Sequence, residues 1–244
     1  GLTQNANNTT SAKKFNMGIL VANSVLNGIP VSGAQNNTFK NLSINLGSGS
    51  ITAGLTGIRL GTAGSATGIT FDKTNSFNTI QDVNITGFHA SGIKMFGHSA
   101  AMPDSGNVIT AVVGRNTIGN VAASIGSDVR VIELDCESTV TIEKTDIVSV
   151  SNTVATTNAI YGIVTNLAGN ANLNRGKFII RDNTITGLSN GGAAVTTGIS
   201  GGMSLGATNN GTEYEIYRNK INNIFSNAST TGRSSGILIN GATV

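Results

Sequence analysis

The chain has 244 residues, of which 39% are apolar and only 11% charged, with a net charge of +3 and a single cysteine. No run of about twenty apolar residues is available to cross a membrane as a helix, and a disulfide within the chain is impossible. The 15 basic residues are scattered, Lys13-Lys14 being the only adjacent pair, so the electrostatic footprint of a nucleic-acid binder is missing.

In chain order, residues 1–15 are polar and unpatterned and read as a tail or as the edge of a coil, while 16–244 read as one domain. Two Gly-Ile signals open that domain, Gly18-Ile19-Leu20-Val21 and Gly28-Ile29-Pro30-Val31. A repeated motif follows. It starts as partial copies at Asn37–Leu42 (NTFKNL) and Asn78–Val83 (NTIQDV) and becomes fuller at Ala111–Val121 (AVVGRNTIGNV). Val140–Val150 (VTIEKTDIVSV), Lys177–Leu188 (KFIIRDNTITGL) and Tyr214–Ile224 (YEIYRNKINNI) are the later copies. The shared form is apolar-x-apolar-x-x-Asn-x-apolar-x-x-apolar, anchored at Asn37, Asn78, Asn116, Thr145, Asn183 and Asn219, with spacings of 41, 38, 29, 38 and 36. Self-similarity at such a period marks a solenoid, propeller or array.

Alternation with period 2, as in Phe178-x-Ile180 and Tyr214-x-Ile216, predicts half-buried strands. The anchor Asn breaks the alternation and is a residue that tolerates a left-handed backbone, so each motif predicts strand, corner, strand. A Gly-Ile-x-apolar strand follows at Gly57, Gly92, Gly162, Gly198 and Gly236, with Val129–Ile132 filling the slot once without glycine. The connections Gly97–Asn107, Ser124–Asp128, Leu167–Arg175, Ser189–Ala194, Gly201–Gly211 and Ser226–Ser235 read as loops, which on a rigid solenoid are where binding concentrates.

The Asn corners and Gly-Ile strands together resemble the right-handed parallel β-helix of pectate lyases, phage tailspikes and bacterial surface proteins. The resemblance covers about Gly18 to Ile239. It implies an all-β, single-stranded solenoid of about six coils of 29–41 residues, with Asn183 stacked between Thr145 and Asn219 in a side-chain ladder. It also implies a secreted or cell-surface bacterial protein.

The chemistry is sparse. Glu133, Asp135 and Glu137 alternate and so share one face of a strand, with Glu143 and Asp146 following. Such carboxylates suit glycoside hydrolysis or Ca²⁺ ligation, and equally a solvated acidic face. No grouped Asp with neighbouring Arg, as in pectate lyases, is present. Arg115, Lys144, Asp182 and Arg218 each precede an anchor and predict a mixed-charge ridge with pairs such as Lys144–Asp182. Cys136 has no neighbouring His and reads as a buried small residue. Tyr161, Tyr214 and Tyr217 are the aromatics available for sugar stacking, although Tyr214 falls in a core slot. Thr110, Thr141 and Thr184 do not align into the regular Thr-x-Thr array of ice-binding solenoids. No helix caps either end of the pattern, so the chain is expected to be a piece of a longer protein or a subunit whose ends meet copies of itself. The expected function is non-catalytic: a structural or adhesive segment of an extracellular bacterial protein that associates end to end, with surface glycans as further partners and no cofactor. The alternative is a carbohydrate-active enzyme or glycan-binding module with Glu133, Asp135, Glu137 and Asp146 at its site.

Overall fold

The computed structural model describes residues 2–3, 17–22, 24–26, 29–47, 54–61, 70–97, 102–123, 128–152, 158–165, 174–191, 199–206, 212–227 and 232–240. The chain is an all-β parallel solenoid, as the repeat predicts. Four complete coils carry three strands each. They are β9 (Asp104–Thr110), β10 (Asn116–Ala123) and β11 (Val129–Asp135); β12 (Glu137–Glu143), β13 (Thr145–Asn152) and β14 (Ala159–Thr165); β15 (Arg175–Arg181), β16 (Thr184–Asn190) and β17 (Ile199–Gly206); and β18 (Thr212–Tyr217), β19 (Lys220–Ser226) and β20 (Arg233–Asn240).

Two simpler coils precede them, β5 (Thr38–Asn45) with β6 (Thr56–Leu60) and β7 (Thr79–Thr86) with β8 (Ser91–Phe96). There a single strand serves two faces: the first half of β7 pairs with β9 and its second half with β10. That is why the six coils expected from sequence reduce to about four full turns. At the leading end, β1 (Leu2–Thr3) lies parallel to β5, and β2 (Met17–Val21) opens the seven-stranded sheet β2-β6-β8-β11-β14-β17-β20. Residues 4–15 of the expected tail lie outside the described residues. The second Gly-Ile signal is not a coil strand. It sits in a hairpin of β3 (Ser24–Leu26) and β4 (Ile29–Ser32), where Pro30 pairs with Val25.

Inside the coils identical residues stack in columns. Ile44, Ile85, Ile118, Ile147, Ile185 and Ile221 are successive partners along one face. Opposite them runs the glycine of the Gly-Ile signal. A Cβ on Gly18, Gly57, Gly92, Gly162 or Gly202 would lie 2.4–2.9 Å from Cγ2 of Ile44, Ile85, Ile118, Ile185 or Ile221 respectively. The glycine is there because the facing strands approach too closely for a side chain. Val131 alone takes the slot in β11. In the fifth copy the slot belongs to Gly202-Met203 rather than Gly198-Ile199, since Ile199 pairs with Ala159 and Met203 with Ile163.

The corners also differ from expectation. The left-handed residue is the one before the anchor: Lys144 (φ 50), Asp182 (φ 57) and Arg218 (φ 54) at one corner, Asn36 (φ 59), Phe77 (φ 57) and Gly106 (φ 69) at another. The anchor itself points inward and hydrogen-bonds along the axis. These anchors form two ladders, not one. In the first, Asn78 Oδ1 accepts from Asn37 N–H (3.1 Å), Asn107 Oδ1 from Asn78 N–H (2.9 Å), and Glu137 Oε2 from Asn107 Nδ2 (3.0 Å), while Glu137 N–H donates to Asn174 Oδ1 (2.7 Å). In the second, Asn116 Nδ2 donates to Thr145 Oγ1 (3.1 Å), Thr145 N–H to Asn183 Oδ1 (3.0 Å), and Asn183 N–H to Asn219 Oδ1 (3.0 Å). Asn183 therefore does stack between Thr145 and Asn219. Asn78 and Asn116, however, stand at different corners, because the coil from Asn78 closes 29 residues on at Asn107. Asp104–Asn107, read as the end of a loop, is the start of β9. The expected loops also run partly into strands β15, β16, β17, β19 and β20; the remainder falls largely outside the described residues.

Candidate functional site

The densest ionisable cluster lies on and beside β11. Glu133 is 3% exposed and accepts from Lys94 Nζ (2.9 Å), Arg130 (2.7 Å) and Ser91 Oγ (3.0 Å). Arg130 also reaches Asp128 (3.0 Å), whose other oxygen accepts from Ala159 N–H (2.8 Å). Burial opposes the charge on Glu133, but Lys94 and Arg130 outweigh it and hold the carboxyl below its usual range. Two residues on, Asp135 is equally buried. Desolvation, with the Glu133 charge behind it, pushes its carboxyl up to about 6.

The strand alternation that would place Glu137 on the same face breaks at Cys136, which adopts φ 53. Beyond it Glu137 opens β12 and turns into the corner, fully buried with Asn107 and Asp104. Burial first, and the Asp104 charge second, raise Glu137 well above the carboxylate range. Burial likewise lifts Asp104 to about 7, although Asn75 N–H donates to it (2.8 Å). Asp104 Oδ2 and Glu137 Oε1 have no hydrogen-bond partner. A carboxyl held neutral there carries its own proton instead of a buried, unpaired charge. The Cys136 thiol, enclosed by these acids, is pushed up to about 12 by burial and by their charges, which makes it inert as a nucleophile.

Asp146 belongs elsewhere. It faces outward on β13 and pairs with Arg115 at 2.6 Å. Glu143 sits on the outer side of β12 between Thr110 (2.6 Å) and Arg181 (2.7 Å). The four candidate acids are thus split three ways: Glu133 with Asp135, Glu137 in the corner, Asp146 on the ridge. Among the described residues no group of three or more His, Cys, Asp or Glu is placed to hold a metal ion, so the donors considered for Ca²⁺ are not assembled. No helix there is long and apolar enough to cross a membrane.

The mixed-charge ridge exists with different partners. Arg115 binds Asp146 and the Asp182 carbonyl, and Arg218 binds Asp182 through two bonds of 2.7 and 2.8 Å, while Lys144 Nζ donates to Ala111 O. Tyr161 is buried. Tyr214 packs on Phe178 at 5.5 Å and donates to Gly206 O, and the Tyr217 ring lies against the guanidinium groups of Arg181 and Arg218. Thr141 is flanked by Val108 and Ile179, so no threonine array forms there.

No protein-family model, curated protein or solved structure matches the chain.

Sequence reasoning missed Asn107 and Asp104, which lay inside a presumed loop, and the inward turn of Glu137. The repeated Asn-x-Ile of Asn107-Val108-Ile109 was the available signal.

Unfolded Asp and Glu ionise near 3.8 and 4.5, whereas Asp135 and Asp104 in the fold hold their protons to about 6 and about 7, and Glu137 is likewise raised well above its unfolded value. Folding therefore takes up protons between these limits, so their effect on stability is most favourable in acid and declines as pH rises through the folded values. Glu133 acts in the opposite sense, its contribution being lost as pH falls. The urea midpoint is expected to be higher at pH 5 than at pH 8. In the double variant Asp104→Asn, Glu137→Gln the difference should shrink to the share that Asp135 contributes; an unchanged difference would exclude this pair as part of its origin.

Proposed function

We propose that the chain is a non-catalytic structural and adhesive β-solenoid of an extracellular bacterial surface protein, a stiff rod that presents its outer faces to surface glycans. The observation that carries this reading is the fate of all 12 acids. Asp104, Glu133, Asp135 and Glu137 are buried. Asp128, Glu143, Asp146, Asp182, Glu213 and Glu215 are ion-paired. Asp72 and Asp82 accept from Thr70 and from the N–H groups of Val112 and Val113. A glycosidase needs two carboxyls facing the scissile bond, and none of these is left open and unengaged for one.

The opposed ionisation of Glu133 and Asp135 does suit an acid–base pair, but both are closed to a polymer chain by burial. For adhesion, the outward column Ser43, Asn84, Thr117, Asp146, Thr184 and Lys220 offers hydrogen-bonding groups at a regular spacing of about 4.8 Å, Asp146 being held by Arg115. The test is incubation with a panel of neutral and acidic polysaccharides, reading both retention and chain cleavage. Retention without cleavage is the expected result. Cleavage by the wild type that disappears in Glu133→Gln and Asp135→Asn would replace this reading with the enzymatic one.

A further inference from the structure

We propose that the seven-stranded sheet is continued from one molecule to the next, β20 of one copy pairing in parallel with β2 of another, head to tail. Three observations converge on a second copy of this chain as the occupant of both edges. First, the two edge strands carry nearly the same quartet, Gly18-Ile19-Leu20-Val21 and Gly236-Ile237-Leu238-Ile239. The ladder registers place them in the same columns: Ile19 is followed by Ile58, Ile93, Ile132, Ile163, Met203 and Ile237, and Val21 by Leu60, Met95, Leu134, Thr165, Leu205 and Ile239. A second copy stacked on β20 would extend both columns without a change of register.

Second, the outward column between them reads Leu20, Arg59, Lys94, Glu133, Val164, Ser204, Leu238. Leucine occupies it at the two edges alone, and both are exposed, Leu20 at 47% and Leu238 at 36%. Edge strands on a monomer are ordinarily blunted by charge, proline or a bulge. In this column the charge falls on Arg59, Lys94 and Glu133, within the stack, and the two edge positions carry leucine. Third, the core residues left partly covered are Ile19, Ala34, Phe39 and Leu42 at one end and Tyr214, Ile216, Ile221 and Ile224 at the other, so each end presents an apolar cross-section of the same solenoid. The contact is heterologous and does not close, so it propagates along the axis.

This inference rests on the structural reading above, yet it fails separately: polysaccharide cleavage would remove that reading whether or not the chain assembles. The test uses Leu20→Lys and Leu238→Lys, two exposed positions where lysine leaves the core intact, with circular dichroism confirming the fold. By sedimentation and negative-stain imaging, the wild type is expected to form rods that lengthen with concentration. Each lysine variant alone should remain monomeric. An equimolar mixture should stop at dimers, because only the Leu238 edge of the Leu20→Lys copy and the Leu20 edge of the Leu238→Lys copy are intact. A Leu20→Cys copy and a Leu238→Cys copy should form a disulfide with each other, neighbouring strands lying within its reach. A wild type monomeric at every concentration, a mixture that stays monomeric, or cross-links only between like copies would each overturn the proposal.

Discussion

Replacing Asn183 with alanine is expected to lower the unfolding free energy by about 2–5 kcal/mol, read as a shift in the urea midpoint at unchanged slope. The side chain is 1% exposed and holds two coils at once. Its Oδ1 accepts from Thr145 N–H, and its Nδ2 donates to Ile142 O and to Asn219 Oδ1, all at 3.0 Å. Alanine fills none of these positions. Thr145 N–H and Ile142 O would be stranded away from water, and each buried orphan costs roughly 1–3 kcal/mol. Asn37 provides the internal comparison. It is the same residue type in a ladder, but it is exposed and stands at the leading end. Alanine there should cost under about 1 kcal/mol, because water replaces the lost partner. Equal costs at the two positions would mean that the ladder contributes by local turn preference and not by hydrogen bonding between coils.

The second large effect concerns the glycine column. Gly92→Ala places a methyl 2.4 Å from Ile118 Cγ2 and 3.0 Å from Val131 O, with the Phe88 ring at 3.2 Å. Overpacking of this kind costs about 1–3 kcal/mol. Ile118→Ala, which empties a fully buried site, should cost about 2–5 kcal/mol by itself. The pair should cost less than the two singles added, by about 0.5–3 kcal/mol, since the new methyl enters the space the isoleucine vacates. Strict additivity would show that the backbone contact with Val131 O, and not the isoleucine, excludes a side chain at position 92.

Much of the architecture is legible in the sequence because each corner is a local event. An alternating apolar pair, an Asn anchor and a second apolar pair are visible around Asn183 and Asn219 without any knowledge of neighbours, although the left-handed residue falls one position before the anchor, at Asp182 and Arg218. The phase between coils is not local. Asn78 and Asn116 carry the same Asn-Thr-Ile triplet although they stand at different corners, and pairing places Asn107, whose own Asn-x-Ile is the weaker signal, between them. The turn at Cys136 was hidden for another reason. Cysteine has no preference for a left-handed backbone, so Glu133-x-Asp135-x-Glu137 looked like unbroken alternation. Burial of the acids could not be read from residue type either. It depends on the arginine, lysine and serine brought over Glu133 from β8 and from within β11.

Seven of the bonds at the corners share a direction, although a few others, such as Ser105 N–H to Ser76 Oγ, run the opposite way. Ala34 N–H donates to Asn75, Asn37 to Asn78, Asn75 to Asp104, Val83 to Asn116, Glu137 to Asn174, Thr145 to Asn183 and Asn183 to Asn219. In every case the donor is backbone and the acceptor is a side chain from the following coil. A coil emerging from the ribosome therefore has these seven N–H groups open until about one further repeat has been translated. Assembly can then proceed vectorially, each newly made turn closing the one before it, so that the order of synthesis is also the order of stacking.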